Sequence, residues 1–202
     1  MKTYNNEIKY LKNIKKLLIN IDMVNGFVKE GTLAAPSIMR IVPRQIESLE
    51  KGLEDKDSGI IFVRDAHPIN APEFKNFPPH CIINSEESKL IDELKRFEPY
   101  ALEYLKNSTS LMFAPNIQND LLRLRPLREV DLMGCLSEVC VQNGGIDLKN
   151  FFNQNNLDID VMVHADAIDT FDAPNHNPEE VTEKALNLMQ SNGIKILRKE
   201  LK

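Results

Sequence analysis

The sequence predicts an α/β fold, a three-layer α-β-α sandwich with a mostly parallel central sheet. Short apolar runs alternate with stretches of helical periodicity along the chain. The runs, such as KLLINI and GIIFV, are almost uninterrupted, as in strands buried on both faces. No internal repeat or low-complexity tract breaks the pattern. At 202 residues the chain suits one domain, spanning 1–202, with a sizeable core.

Residues 1–15 are lysine-rich and too interrupted for a signal peptide; they read as a solvated N-terminal arm. Residues 15–23 form the first strand. Residues 39–55 have helical periodicity, with Pro43 near the start. Residues 59–66 form the second strand. Residues 85–97 read as a helix with Ser85 as its N-cap. Strands follow at 100–106 and 128–135. Residues 137–154 read as a helix despite Gly144-Gly145, each costing about 1 kcal/mol. Residues 157–167 form a strand. Asn177-Pro178-Glu179-Glu180 opens the last helix with a cap, a proline and an acidic first turn. Residues 193–199 suit a short final strand.

Apolar residues make up 42% and charged residues 27%, with a net charge of −5. That balance excludes a nucleic-acid binder, which carries a basic stripe. No run reaches the roughly 18 apolar residues of a membrane span. The three cysteines, without a secretion signal, suit reduced thiols in the cytoplasm.

In parallel sheets ligands bind beyond the carboxyl ends of the strands. Four strand ends carry reactive side chains there: Asp22, Asp65, Lys106 and Cys140. A cysteine in the first turn of a helix and near a cation has its pKa lowered, so Cys140 reads as a nucleophile with Lys106 as the cation. Asp22 can take the thiol proton and return it to a leaving group. Taken singly, each has a plain alternative: a small buried hydrophobe, a solvated lysine, a turn aspartate. Asp65 and His67 share one side of an extended strand, and His80 follows a Pro-Pro pair. Asp65, His67 and His80 suit a mononuclear site for zinc, iron or manganese; the alternative is a polar loop with surface histidines. Cys81 and Cys135 read as packing residues, and His164 and His176 as structural or surface residues.

These segments, in order, resemble the nicotinamidase branch of the isochorismatase-like cysteine hydrolases. The resemblance rests on LLINIDMVNGFV, FVRDAH, FPPHC, Lys106 followed by Ser110 and Phe113, GCLSEVCV and the DA of HADAIDTFDA. It runs from about residue 16 to about 190. It implies the isochorismatase-like hydrolase fold and a catalytic triad of Asp22, Lys106 and Cys140. It implies an oxyanion hole of the Leu136 and Cys140 backbone N–H groups, with a cis peptide at Cys135-Leu136. Implied metal ligands are Asp65, His67, His80 and Glu73, holding one divalent ion, zinc with iron or manganese as alternatives. Phe27 and Phe77 match the residues that sandwich a pyridine ring, and Phe113 matches a further pocket aromatic. The implied activity is hydrolysis of nicotinamide to nicotinate and ammonia through a cysteine thioester, in NAD salvage, by a homo-oligomer acting on a small-molecule amide. Departures fall at Asn84-Ser85 (commonly Gly-Thr), Ser137-Glu138 (commonly Thr-Asp), Val139 and Gly144-Gly145, and they bear on substrate more than on chemistry. The alternatives are another amide or carbamoyl hydrolase of the superfamily, a non-catalytic binding member, and a zinc hydrolase using metal-bound hydroxide.

Overall fold

The computed structural model describes residues 13–198. Most of the expected N-terminal arm lies outside them. Its last residues belong to the fold: Ile14 is buried, and the Lys15 N–H donates to Asp57 O at 2.7 Å.

The chain runs β1 (Lys16–Ile21), α1 (Asn25–Val28), α2 (Val42–Glu54), β2 (Ser58–Asp65), α3 (Asp92–Lys95) and β3 (Ala101–Lys106). It continues through α4 (Ile117–Arg123), β4 (Glu129–Cys135), α5 (Gln142–Gln154), β5 (Asp160–Asp169), α6 (Pro178–Ser191) and β6 (Lys195–Leu197). The six strands form one sheet of order β3-β2-β1-β4-β5-β6. Every neighbouring pair is parallel. The order reverses between β1 and β4, so a crevice opens beyond their carboxyl ends.

Alternation along the strands builds a core on each face. Leu17, Ile19 and Ile21 of β1, with Val130 and Leu132 of β4, join the core that includes Ile117 and Leu121 of α4, Leu148 and Phe152 of α5 and Leu186 of α6. Leu18, Phe62 and Met133 point the other way, onto Phe27 of α1, Leu49 of α2 and Leu94 of α3. Each such side chain, fully buried, contributes about 1.5–3 kcal/mol. The glycine pair of α5 allows close approach: a Cβ on Gly144 would lie 2.9 Å from Leu111 Cδ2, and one on Gly145 3.1 Å from Leu132 Cδ1. Propensity given up in the helix is offset by packing against the sheet.

The predicted helix at 85–97 is the main departure. Only Asp92–Lys95 makes a helical turn. The backbone before it is engaged elsewhere: the Asn25 N–H donates to Lys89 O and the Gly26 N–H to Glu87 O, both at 2.9 Å, and the Ile91 N–H donates to Met23 O. Those bonds fasten α1 and leave no i→i−4 ladder. Ser85 Oγ accepts from the Ser88 N–H at 3.4 Å, within a turn and not at a helix cap. The predicted 39–55 helix begins earlier, as a 3₁₀ turn at Pro36–Ile41. The 137–154 helix opens as a π-helical turn at Ser137–Val141. Strand β5 runs on to Asp169, bulging where it passes β4 between Leu132 and Gly134. Among the described residues no helix is long and apolar enough to cross a membrane.

Gly134 sits in β4 at φ 131°, and a Cβ there would lie 2.0 Å from Ile21 O. No L side chain fits that conformation or that space. Gly134→Ala is expected to destabilise the protein by more than about 4 kcal/mol, read by urea denaturation.

Candidate active site and metal centre

Four strand ends meet at the crevice. Asp22 follows β1 at φ 55°, with its N–H donating to Val63 O at 2.8 Å. Its Oδ1 accepts from the Asp65 N–H at 2.8 Å, which ties the ends of β1 and β2 together. Lys106, at the end of β3, is fully buried. Its Nζ lies 2.8 Å from Asp22 Oδ2, donates to Asp65 Oδ1 and to Ser108 O at 2.9 Å, and sits 3.6 Å from Cys140 Sγ. Cys140 is buried in the π-helical turn after β4.

One ammonium thus faces two buried carboxylates and a thiol. Burial would lower the Lys106 pKa, but Asp22 and Asp65 outweigh it and hold it well above its ordinary value. The carboxylates divide. Burial raises Asp65 too, yet Lys106 and His67 bring it below the usual carboxylate range. Burial and the Asp65 charge lift Asp22 to about 7, against the pull of Lys106. The lowered thiol pKa expected for Cys140 does not arise. Burial pushes it well up, with Lys106 pulling down and the charge on Asp22 adding to the rise. A thiol held in that form needs a base within reach, and carboxylate oxygens of Asp22 and Asp65 lie within 4.8 Å of Cys140 Sγ.

Asp65 also faces two imidazoles. Its Oδ2 is 3.4 Å from His67 Nε2 and 3.9 Å from His80 Nε2. Both rings are anchored by the opposite nitrogen: His67 Nδ1 is 2.7 Å from Asn107 Oδ1, and His80 Nδ1 is 2.8 Å from Pro78 O. With Nδ1 facing an oxygen, each ring turns Nε2 toward Asp65, and in the neutral Nδ1–H form that nitrogen offers a lone pair to a metal. His67 Nε2 is buried and has no hydrogen-bond partner. Two donors about 2.0–2.2 Å from one ion stand roughly 3–3.5 Å apart, so the three groups fit a divalent ion after small adjustments. Glu73 stands apart from this group: it is half-buried on the 3₁₀ turn Pro72–Lys75 and lines the adjoining cavity. A second donor group, Asp22, Asp65 and Cys140, already surrounds the Lys106 ammonium.

The cavity, about 610 Å³, adjoins both groups. Phe27, Phe77, Leu136 and Cys140 line it. Phe27 is buried, 5.5 Å from the His80 ring between centroids; Phe77 is 41% exposed. The Cys135-Leu136 peptide is cis, and Leu136 O accepts from the Val139 and Val141 N–H groups. Phe113 is 69% exposed and does not line the cavity, because its 3₁₀ turn directs Leu111 and Met112 inward and Phe113 out.

Asn107 and Phe171 escaped the sequence reading. Asn107 directly follows Lys106, and that adjacency was the available signal. Phe171, in an aperiodic loop, offered none. Cys81 and Cys135 are buried, and Cys135 Sγ donates to Asp22 O at 3.1 Å. His164 lies in β5 between Arg44 and the buried Asp131, away from the crevice.

Comparison with known proteins agrees with this geometry. The isochorismatase domain profile matches residues 16–200. The chain is 25% identical over 179 residues to nicotinamidase 1 of Arabidopsis thaliana, covering 81% of this chain and 73% of that protein. The crystal structure of the pyrazinamidase of Pyrococcus horikoshii in complex with zinc superposes with a TM-score of 0.74 at 26% identity, covering 92% of this chain and 99% of that one. The nicotinamidase of Bacillus subtilis superposes with a TM-score of 0.75 at 25% identity, covering 91% and 99%. A parallel sheet with its crevice at the β1/β4 reversal, and a family profile matching almost the whole chain, place this protein in the isochorismatase domain family, among the isochorismatase-like hydrolases.

Proposed function

We propose that the protein hydrolyses nicotinamide to nicotinate and ammonia, as a cytoplasmic enzyme of NAD salvage. The observation that carries the reading is one cavity bordered by the Cys140–Lys106–Asp22 cluster, by the Asp65–His67–His80 group and by phenylalanine rings. The zinc complex of the Pyrococcus relative and the nicotinamidase relatives support it.

Asp22, poised near neutrality, takes the Cys140 proton. The thiolate attacks the carboxamide carbon. Backbone N–H groups of Leu136 and Cys140 hold the oxyanion, each donor being worth about 3 kcal/mol. Asp22 returns the proton to the amide nitrogen, the C–N bond breaks and ammonia leaves. A thioester on Cys140 remains. Asp22 then takes a proton from water, the resulting hydroxide attacks the thioester carbonyl, the C–S bond breaks to release the pyridine carboxylic acid, and Asp22 returns its proton to the Cys140 sulfur. Throughout, Lys106 holds the anionic forms in place. Phe27 and Phe77 face the two sides of the pyridine ring, which fixes the carboxamide against sulfur. Asp65, His67 and His80 would hold the divalent ion, with Glu73 as a further ligand from the cavity wall, and when bound it supplies an electrophilic anchor for the ring nitrogen.

The closest rival is a carbamoyl hydrolase acting on a carboxylate-bearing substrate. Asp65, Glu73, Glu138 and Asp172 line the cavity, and among the described residues no arginine or lysine does. That lining repels an anionic substrate and suits a neutral amide.

Cys140→Ala is expected to lower kcat for ammonia release by at least about 10³-fold with substrate binding retained. Wild-type turnover by the alanine variant, with loss on chelation, would instead identify a metal-hydroxide hydrolase. Asp65→Ala should remove the divalent ion, measured as metal content per chain after dialysis, from about one to none. Lys106→Met leaves two buried carboxylates without their cation and should cost about 3–5 kcal/mol in chemical denaturation, besides activity.

A further inference from the structure

The loop between β5 and α6 closes one side of the cavity. Phe171 lies in it and lines the cavity together with Leu136, Val139 and Cys140. Its ring stacks on His176, with centroids 3.9 Å apart and planes 5° from parallel. One face of Phe171 is therefore covered by an imidazole, and its other face and its edge are what it can offer the cavity.

The imidazole is itself held at both nitrogens. His176 Nδ1 lies 2.9 Å from Phe171 O, and Nε2 lies 3.0 Å from Glu138 Oε1. Glu138 Oε1 also accepts from Thr170 Oγ1 at 2.9 Å. Glu138 belongs to the π-helical turn that carries Cys140, so the loop is clamped to the nucleophile's own element. The backbone adds a second constraint. Ala173 and His176 exchange two hydrogen bonds, at 3.2 and 2.9 Å, around Asn175 at φ 62°. Asn177 then caps α6, its Oδ1 accepting from the Glu180 N–H at 2.9 Å. A ring fixed this way before a ligand arrives gives up little entropy on binding.

We infer that Phe171 is a specificity-determining contact for a planar ring in the cavity, with His176 and Glu138 as the positioning residues that hold it there. The inference rests on the aromatic-amide reading given above and adds a third ring to Phe27 and Phe77. An aromatic contact of this kind favours a ring-bearing amide over an aliphatic one by about tenfold.

The test compares the wild-type chain with Phe171→Leu, Phe171→Tyr and His176→Gln. Ammonia release is measured from nicotinamide and from propionamide, and benzamide dissociation constants by calorimetry. Phe171→Leu should lower the preference for nicotinamide over propionamide about tenfold, mainly through KM, and weaken benzamide by a similar factor. Phe171→Tyr should keep both. His176→Gln should move both in the same direction by about threefold, and it carries the test if the leucine variant does not fold. Unchanged preference and benzamide affinity in Phe171→Leu, or equal loss on both amides, would overturn the inference. If the wild type released no ammonia from nicotinamide yet bound benzamide in a Phe171-dependent way, the proposed reaction would fall and the ring contact would stand.

Discussion

The buried Lys106 ammonium is the interaction on which the rest of the site depends. It lies at the end of β3, touches carboxylates at the ends of β1 and β2, and reaches the thiol that follows β4. Burying a cation costs several kcal/mol unless its partners are close and well placed. Here the lysine and its partners come from four separate strand ends, so the charge cluster assembles only when the sheet order is correct. The parallel sheet positions the ammonium, and the ammonium in turn ties the crevice ends of the strands together.

The same charge settles how the two aspartates differ. Asp65 has Lys106 on one side and His67 on the other, and stays ionised. Asp22 is equally buried, feels Asp65 beside it, and rises to about 7. Two carboxylates around one lysine thereby suit the different tasks the proposed reaction gives them, a fixed anion and a proton carrier. The thiol reading from sequence missed the sign of the Cys140 shift for a related reason. Helix position and a nearby cation are visible in a sequence; complete desolvation is not.

Much of the architecture was legible in advance. Strands β1, β2 and β4 announce themselves as continuous apolar runs, because both faces of the sheet are covered. The reactive strand ends Asp22, Asp65, Lys106 and Cys140 could be picked out by position, and the structure gathers them. What sequence could not give was tertiary competition for the backbone. Residues 85–91 have a helical pattern, yet their carbonyls serve α1. Nor could it give side-chain direction within short turns. Phe113 follows a motif that suggests a pocket aromatic but faces outward, whereas Phe171 carries no local signal and lines the cavity. The Asn107 contact to His67 depends on two loops meeting; adjacency to Lys106 hints at the place but not at the partner.

The two histidines and Asp65 lie beside a second group of potential ligands, Asp22, Asp65 and Cys140, that shares the same aspartate. A thiolate there would be the softest and strongest ligand available to a zinc-like ion. The Lys106 ammonium already occupies the centre of that group and carries a fixed positive charge. An ion held by Asp65, His67 and His80 therefore meets electrostatic repulsion when it moves toward sulfur. In the proposed reaction the lysine would act as an insulator, keeping a bound ion and the Cys140 sulfur apart so that neither is consumed by the other.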